Sequence, residues 1–133
     1  MSNDRLLIGR RVFVVEDEMV IAWLLEQMLS ELGCEVVGPA ARVKEALTMV
    51  ETEDFDVALL DINLHCEKSY PVADALTARG IPFLFSTGYN KDSIPTGYRD
   101  YPFLQKPYHH KKLELILSTL LTPKEPERLK MSG

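Results

Sequence analysis

The sequence is poor in cysteine, in positive charge and in long apolar runs, and each shortage excludes a class of protein. Its 133 residues contain two cysteines, Cys34 and Cys66, without the paired spacing of a disulfide framework. A general nucleic-acid binder would be basic, whereas this chain has a net charge of −5 and a pI near 5.2. No apolar run approaches the ~20 residues of a membrane-spanning helix. We therefore predict a cytoplasmic protein with reduced thiols that binds neither nucleic acid nor membrane.

The chain length is typical of a single domain. A protein of 133 residues buries roughly two-thirds of the surface of its unfolded chain, so it can fold without a stabilising disulfide. The polar start, Met1 to Arg5, is followed by a predicted strand instead of the apolar core of a signal peptide. We predict an N-terminal tail at 1–9, one domain at 10–122 and a C-terminal tail at 123–133.

The apolar residues alternate between strand and helix patterns along the chain. Short apolar runs predict strands at 11–15, 34–38, 56–60, 81–85 and 103–105. Residues at helical spacing follow most of these strands, and Gly33 and Gly80 are placed to end two of the helices. This alternation is typical of βαβ units. It predicts an α/β fold with a doubly wound, flavodoxin-like sheet of five parallel strands in the order 2-1-3-4-5.

One segment interrupts the alternation. Residues 89–102 contain Asn90, Pro95, Gly97 and Pro102, which disfavour a regular helix. We therefore predict that the helix between the fourth and fifth strands is short or irregular.

Chemically active side chains follow four of the five predicted strands. Glu16 and Asp17 follow the first strand, Asp61 the third, Thr87 the fourth and Lys106 the fifth. The carboxyl ends of parallel strands meet in one crevice, so these groups are expected to lie together. Three clustered carboxylates favour a hard cation such as Mg²⁺, and an aspartate can form an acyl phosphate. The pattern predicts a divalent-cation and phosphoryl site with Asp61 as the nucleophile.

Each of these residues has a simpler interpretation when it is taken alone. Acids at strand ends are often solvated or cap a helix, as Glu18 is expected to do at the start of the first helix. A threonine before a glycine is often a turn residue, and a lone lysine is usually solvated. Two acidic groups on adjacent strands, at the point where the strand order reverses, favour the cation site.

The order and spacing of four short motifs resemble those of the receiver domain of two-component response regulators. The motifs are Val-Glu-Asp-Glu at 15–18, Leu-Leu-Asp at 59–61, Ser-Thr-Gly at 86–88 and Gln-Lys-Pro at 105–107. The resemblance extends over 10–121. It implies that Asp61 accepts a phosphoryl group from a sensor histidine kinase or a histidine phosphotransfer protein. It also implies that the domain catalyses this transfer and slowly hydrolyses the product.

The resemblance further implies a cofactor and roles for individual residues. Mg²⁺ is expected on oxygen ligands of the acidic motifs: Asp17, Asp61, the backbone carbonyl of Asn63 and, through water, Glu16. Thr87 and Lys106 are expected to contact the phosphoryl group, with a cis peptide bond between Lys106 and Pro107.

The stretch 82–89, Pro-Phe-Leu-Phe-Ser-Thr-Gly-Tyr, is similar to a narrower group of receivers. That group is named for a Phe-Ala-Thr-Gly-hydrophobic-Tyr (FAT GUY) motif, and Ser86 replaces the alanine here. Some of its members are stand-alone regulators, and the same is expected of this chain. Tyr89 directly follows Gly88 and is expected to shield the acyl phosphate from water.

Two features depart from the common receiver pattern. Leu64, His65 and Cys66 occupy the loop where most receivers have Met-Pro and a glycine, so this loop is expected to differ in length or shape. Phe103 stands where receivers carry a switch aromatic. Either a switch or a core packing role is open for it.

The first long helix is expected to present a docking surface. Its predicted core stripe consists of Val20, Ile21, Leu24, Leu25, Met28, Leu29 and Leu32. Met19, Ala22 and Trp23 are then predicted on the opposite side, where Trp23 would anchor a histidine-containing partner. Leu115 is a weaker candidate for the output face.

These observations predict a single-domain response regulator, monomeric or weakly dimeric, that signals by changed protein–protein binding and is not an enzyme in the ordinary sense. One alternative is an unphosphorylated pseudo-receiver that acts as a constitutive interaction domain. Another is a phosphatase with an aspartyl-phosphate intermediate. That chemistry uses a second acid two residues after the nucleophile, and Asn63 at this position disfavours it.

Overall fold

The structure, a computed structural model, describes residues 4–65, 67–88, 94–106 and 108–122. Its elements, in chain order, are α1 (Asp4–Leu7), β1 (Arg11–Val15), α2 (Met19–Glu31), β2 (Glu35–Ala40), α3 (Val43–Thr52), β3 (Val57–Asp61), β4 (Asn63–Leu64), β5 (Glu67–Lys68), α4 (Tyr70–Ala78), β6 (Phe83–Thr87), β7 (Phe103–Gln105) and α5 (His110–Leu121). Five strands form a parallel sheet in the order β2-β1-β3-β6-β7. This is the predicted 2-1-3-4-5 order, so the flavodoxin-like fold is confirmed.

Helices cover both faces of the sheet. Along β1, Phe13 and Val15 belong to a core cluster shared with α3 and α4, whereas Val12 and Val14 belong to a cluster shared with α2 and α5. Successive side chains of a strand point to opposite faces, so a strand that is apolar at every position must be covered twice. All five residues of β3 are buried accordingly. This places Asp61, the last residue of β3, at the end of a rigid apolar strand.

Three sheet strands begin later than the sequence pattern predicts. In chain order, the second strand of the sheet is Glu35–Ala40, the third is Val57–Asp61 and the fourth is Phe83–Thr87, instead of 34–38, 56–60 and 81–85. The apolar pattern continues into residues that also carry polar function, and periodicity does not separate the two. As a result, Asp61 and Thr87 lie within the strand ladders and not beyond them.

Two features of the fold, a short N-terminal helix and a hairpin, were not predicted. Residues 1–9 were assigned to a tail, but Asp4–Leu7 is helical and Leu7 is fully buried in the cluster that α5 also joins. The loop after Asp61 forms a small antiparallel hairpin of β4 and β5, in which Asn63 pairs with Lys68. The sequence departure at Leu64 and His65 falls in this hairpin, whose strands the sequence did not predict.

Between β6 and β7, the described residues form one short 3-10 helix, Thr96–Tyr98. This agrees with the predicted short or irregular fourth helix. The expectations for Tyr89, Cys66, the cis bond before Pro107 and the tail at 123–133 lie outside the described residues.

The prediction for the faces of α2 was partly wrong. Ala22 is buried together with Leu25 and Leu29, whereas Val20 and Leu24 are exposed. Met19 and Trp23 are exposed as predicted. Apolar residues occur on every side of this helix, so its spacing alone does not select the buried face.

Gly33 ends α2 in the predicted way. Its φ of +88° lies in the left-handed region that follows many helices and that glycine adopts without strain. A Cβ at this position would lie 2.9 Å from Cγ1 of Ile8, so the return of the chain past α1 also requires glycine.

Within the described ranges, none of the helices combines the length and the apolar character that crossing a membrane requires.

Candidate functional site

Five of the six predicted site residues lie at the carboxyl edge of the sheet. Glu16 and Asp17 directly follow β1, Asp61 ends β3, Thr87 ends β6 and Lys106 directly follows β7. Adjacent parallel strands hold these ends side by side, and β3 lies between β1 and β6. The strand order reverses at β1 and β3, where ligands bind in open sheets of this kind.

Lys106 joins the acids from one side of the cleft. Its Nζ lies 3.3 Å from Oε1 of Glu16 and 3.3 Å from Oδ2 of Asp61. Oε1 of Glu18 is farther away, at 3.9 Å, and the side chain of Glu18 is mostly exposed. The backbone N–H of Lys106 donates to the carbonyl of Thr87 over 2.9 Å, which fixes where the lysine leaves the sheet. One cation therefore faces two buried carboxylates.

Three carboxylates converge closely enough to share an ion. One oxygen from each of Glu16, Asp17 and Asp61 lies within 4.8 Å of the others. Asp61 Oδ1 accepts the backbone N–H of Asn63 over 3.2 Å, and Glu16 Oε2 accepts that of Glu18 over 3.1 Å. These bonds fix the rotamers of both acids while leaving an oxygen of each directed to the cluster.

Burial makes the charges of this cluster costly. It raises the pKa of Glu16 from an ordinary 4.5 to about 7, and the negative charge of Asp61 adds to the rise. Burial also raises the pKa of Asp61, against the opposing effect of Lys106. For Lys106, burial alone would lower the pKa, but the carboxylates of Asp61 and Glu16 outweigh it and raise the pKa. The cluster therefore carries more negative charge than one lysine neutralises.

These residues fit a hard divalent cation. The converging ligands are all oxygens, which is the donor set that Mg²⁺ prefers. Oε1 of Glu16 is buried and accepts no hydrogen bond from any described residue, although Lys106 lies near it. Lys106 also pairs with Asp61, so one ammonium serves two buried carboxylates, and a cation in the cleft would neutralise the remaining negative charge.

Thr87 ends β6, the strand that pairs with β3. It is 1% exposed. The preceding residue, Ser86, shares a hydrogen bond with the hydroxyl of Tyr108, which lies just before α5. The pKa of Tyr108 is raised, chiefly by burial, so the hydroxyl stays protonated and able to donate. This link ties the strand that carries Thr87 to the segment that follows Lys106.

The structure brings Glu16, Asp17, Asp61 and Lys106 together as the sequence suggested, and it places Asn63 two residues after Asp61. The backbone N–H of Asn63 donates to Asp61, and its side-chain oxygen accepts a hydrogen bond from Lys68. Its carbonyl stands at the start of the β4–β5 hairpin, two residues beyond the acceptor.

Sequence reasoning missed two residues at the site. His65 lines the cleft, and its backbone N–H donates to Oδ2 of Asp17 over 2.8 Å. Tyr108 contacts Ser86 from the segment after β7. Neither residue lies in a motif at a strand end. The positive φ of His65 follows from the hairpin, which the sequence did not predict.

Comparison with known proteins places the chain in a family. The profile of the response regulator receiver domain matches residues 12–118. Among curated proteins, the transcriptional regulatory protein PdtaR of Mycobacterium tuberculosis is 29% identical over 105 residues, which is 76% of this chain and 51% of PdtaR. The chain thus spans about half the length of the curated relatives it matches.

Two solved structures are informative for the cleft. The BeF3-activated conformation of SdrG from Pseudomonas melonis Fr1 has a TM-score of 0.74 and 45% identity, covering 84% of this chain and 96% of SdrG. The receiver domain of the sensor histidine kinase PA1611 from Pseudomonas aeruginosa has a TM-score of 0.74 and 25% identity, covering 85% and 98%. A magnesium ion is coordinated in the active-site cleft of that receiver.

Receiver domains are the signalling modules of two-component systems, and the profile match covers most of this chain, including every predicted site residue. The fold, the strand order and the acidic cleft agree with the match. The chain belongs to the response regulator receiver domain family.

Proposed function

We propose that this protein is a cytoplasmic response regulator that becomes phosphorylated on Asp61 in a Mg²⁺-dependent reaction. The donor is a sensor histidine kinase or a histidine phosphotransfer protein, and phosphorylation changes the binding of a partner protein. The observation that carries the proposal is the contact of Lys106 with both Asp61 and Glu16, beside a third carboxylate at the carboxyl edge of the sheet.

Asp61 is the proposed nucleophile. An oxygen of its carboxylate forms a bond to phosphorus as the bond from phosphorus to the donor's imidazole nitrogen breaks, and the imidazole leaves. The hydrogen bond from Asn63 N–H holds Oδ1, and Lys106 holds Oδ2, so the carboxylate is oriented before the donor arrives.

The remaining residues hold the cation and the transferred group. Glu16, Asp17, Asp61 and the backbone carbonyl of Asn63 are the proposed Mg²⁺ ligands, Glu16 through water. When bound, Mg²⁺ neutralises the charge of the phosphoryl oxygens. The Lys106 ammonium neutralises one phosphoryl oxygen, and the Thr87 hydroxyl donates a hydrogen bond to another.

The exposed part of α2 is the proposed docking surface for the phosphodonor. Met19, Val20, Trp23 and Leu24 are 86%, 71%, 57% and 43% exposed, and we name these four residues the α2 patch. The helix begins three residues after Glu16, so the α2 patch borders the acidic cleft. A histidine side chain that reaches Asp61 from a partner helix would bring apolar surface against this patch.

The direct test is the intact mass of the protein after incubation with acetyl phosphate and Mg²⁺. We expect a gain of one phosphoryl group in the wild type and in Asp100→Asn, which changes an exposed aspartate outside the cleft. The gain should be absent from Asp61→Asn and from wild type in EDTA. If the wild type gains no mass from acetyl phosphate or from a histidine kinase, the chain is a pseudo-receiver and the proposal is wrong.

A further inference from the structure

A hydrogen bond between two hydroxyl groups connects two of the elements that form the cleft. The hydroxyl of Ser86, in β6, shares it with the hydroxyl of Tyr108, in the segment that leads from Lys106 to α5. We name these two residues the Ser86–Tyr108 pair. Ser86 is fully buried, and the ring of Tyr108 packs against the core cluster shared with α2 and α5. The transfer reaction proposed above uses neither hydroxyl.

The Ser86–Tyr108 pair lies beside the carboxylates of the cleft. Ser86 is the register partner of Asp61 in the ladder of β3 and β6. Register partners project on the same face of a sheet, so the Ser86 hydroxyl lies on the side of the Asp61 carboxylate. Burial is the main cause of the raised pKa of Tyr108, and the negative charges of Glu16 and Asp61 add to the rise. Both hydroxyls are therefore close to the groups that Lys106 contacts.

Lys106 lies just beyond the last register pair of an edge strand. Strand β7 is three residues long, and its ladder with β6 ends at the pair of Thr87 with Gln105. The backbone N–H of Lys106 donates to the carbonyl of Thr87 over 2.9 Å, and Tyr108 is fixed to Ser86 two residues later. The segment that carries Lys106 is thus attached to two consecutive residues of β6.

The position of the Lys106 ammonium depends on these attachments. Its side chain passes β6 to reach Asp61 on β3 and Glu16 after β1, with Nζ 3.3 Å from an oxygen of each. A lysine has a flexible four-carbon stem, so the place where its backbone leaves the sheet decides what its ammonium can reach. Groups that act in a transfer reaction are held in a productive geometry by the packing and hydrogen bonds of their neighbours.

We propose that the Ser86–Tyr108 pair positions Lys106 for phosphoryl transfer. The pair fixes the chain on the far side of Lys106, so the ammonium faces Asp61 before a phosphoryl donor arrives. Neither hydroxyl contacts the transferred group, and both act through Lys106. This inference rests on the proposed function and adds two positioning residues to it.

The test compares wild type with Tyr108→Phe, Ser86→Ala and the double variant. Each substitution removes one hydroxyl and keeps most of the shape of the side chain. The matched control is Tyr101→Phe, which removes a hydroxyl that shares a hydrogen bond with Thr77 at 3.3 Å, and neither of these residues lines the cleft. Intact mass over time measures the rate of phosphorylation by acetyl phosphate, titration calorimetry the Kd for Mg²⁺, and urea denaturation the free energy of unfolding.

We expect each single variant to be phosphorylated about tenfold more slowly than the wild type, with the Kd for Mg²⁺ changed less than about twofold. In the double variant the free energy of unfolding should recover, because removal of both partners leaves no unpaired hydroxyl. Its phosphorylation should remain about tenfold slow, because the two hydroxyls act as one unit. Tyr101→Phe should match the wild type in its rate and in its Mg²⁺ affinity.

Four outcomes would overturn the inference in distinguishable ways. Recovery of the rate together with stability in the double variant would show that the pair only stabilises the fold. A loss of Mg²⁺ affinity as large as the loss of rate would assign the pair to the cation site instead of Lys106. An unchanged rate in Tyr108→Phe would exclude positioning, while phosphorylation of the wild type would leave the proposed function standing. A wild type that neither acetyl phosphate nor a histidine kinase phosphorylates would overturn the proposed function, and this inference with it.

Discussion

At Glu16, a proposed role in cation binding conflicts with the stability of the fold, because the carboxylate is buried. It is 2% exposed, and burial together with the charge of Asp61 raises its pKa to about 7. A buried carboxylate is costly unless it is paired, and Lys106 must serve both Glu16 and Asp61. Without a cation, the protein therefore gains stability when Glu16 is protonated.

This conflict predicts an unusual dependence of stability on pH. In EDTA, the free energy of unfolding should fall as the pH rises from about 5 to 7. The reason is that folded Glu16, with a pKa of about 7, keeps a proton that the unfolded chain, with a pKa of 4.5, has already lost. In Glu16→Gln this fall should be smaller, leaving the part due to the raised pKa of Asp61. Urea denaturation at several pH values measures how the free energy of unfolding changes with pH. Glu51→Gln, on the exposed side of α3, is the control. Equal slopes in wild type and Glu16→Gln would contradict the prediction.

The side chains of the cleft differ in how well the sequence predicted them. Asp61, Thr87 and Lys106 were predicted because each directly ends or follows an apolar strand, and strand order then brings them together. The pairing of Lys106 with Glu16 was not predicted, because it depends on side-chain directions across four strands. His65 was missed because its place depends on a two-stranded hairpin that has no strong sequence pattern.

At the scale of elements, the link between β6 and the segment before α5 stabilises the edge of the site. Ser86 is fully buried, and its hydroxyl shares a hydrogen bond with Tyr108. Tyr108→Phe keeps the ring but leaves the Ser86 hydroxyl without this partner. We expect a loss of about 1 kcal/mol of unfolding free energy.

The matched variant is Tyr101→Phe, which removes a longer and exposed hydrogen bond to Thr77 at 3.3 Å. It should change stability by less than about 0.5 kcal/mol. Urea denaturation of both variants provides the comparison. A loss no greater in Tyr108→Phe than in Tyr101→Phe would show that the Ser86 contact contributes nothing to stability.

Helix α2 has a buried face and the exposed α2 patch. If the α2 patch is the docking surface, a substitution in it should slow phosphoryl transfer from a protein donor. Trp23→Ala should slow phosphoryl transfer from a histidine kinase that phosphorylates the wild type by about tenfold, because truncating an aromatic interface anchor costs 1–2 kcal/mol or more. The rate with acetyl phosphate should not change, because this small donor needs no docking surface.

Leu115→Ala on α5 is the control for the patch, since Leu115 is 61% exposed on another helix. It should leave both rates unchanged. Equal slowing with both donors in Trp23→Ala would instead indicate that Trp23 supports the structure of the cleft.

At the scale of the whole molecule, the sequence predicted the sheet but not its additions. The alternation of strands and helices determined the order β2-β1-β3-β6-β7, since parallel crossovers leave few arrangements. Helix α1 is four residues long and is held by the burial of Leu7 against the α5 layer, a tertiary contact that no local pattern reveals. The exposed side of α2 was predicted only in part, because Ala22 is buried whereas Val20 and Leu24 are exposed.

The sheet concentrates three carboxylates at one edge, so a cation bound there would stabilise the whole fold. An ion that binds only the folded chain adds about 2.7 kcal/mol to the unfolding free energy at 100 times its Kd. For a domain of this size, that gain corresponds to a rise in Tm of roughly 10 °C. We therefore expect saturating Mg²⁺ to raise the Tm of the wild type by about this amount.

The same reasoning predicts opposite effects of one substitution in the presence and absence of the ion. Asp17→Asn removes a ligand but keeps an oxygen for the backbone N–H of His65, so the hairpin contact is preserved. Removing one of three mutually repelling charges should raise the Tm in EDTA, whereas the loss of a ligand should abolish most of the rise with Mg²⁺. Asp100→Asn should behave like the wild type in both conditions. Thermal unfolding followed by circular dichroism measures all three proteins, and a full Mg²⁺ response in Asp17→Asn would place the stabilising ion elsewhere on the molecule.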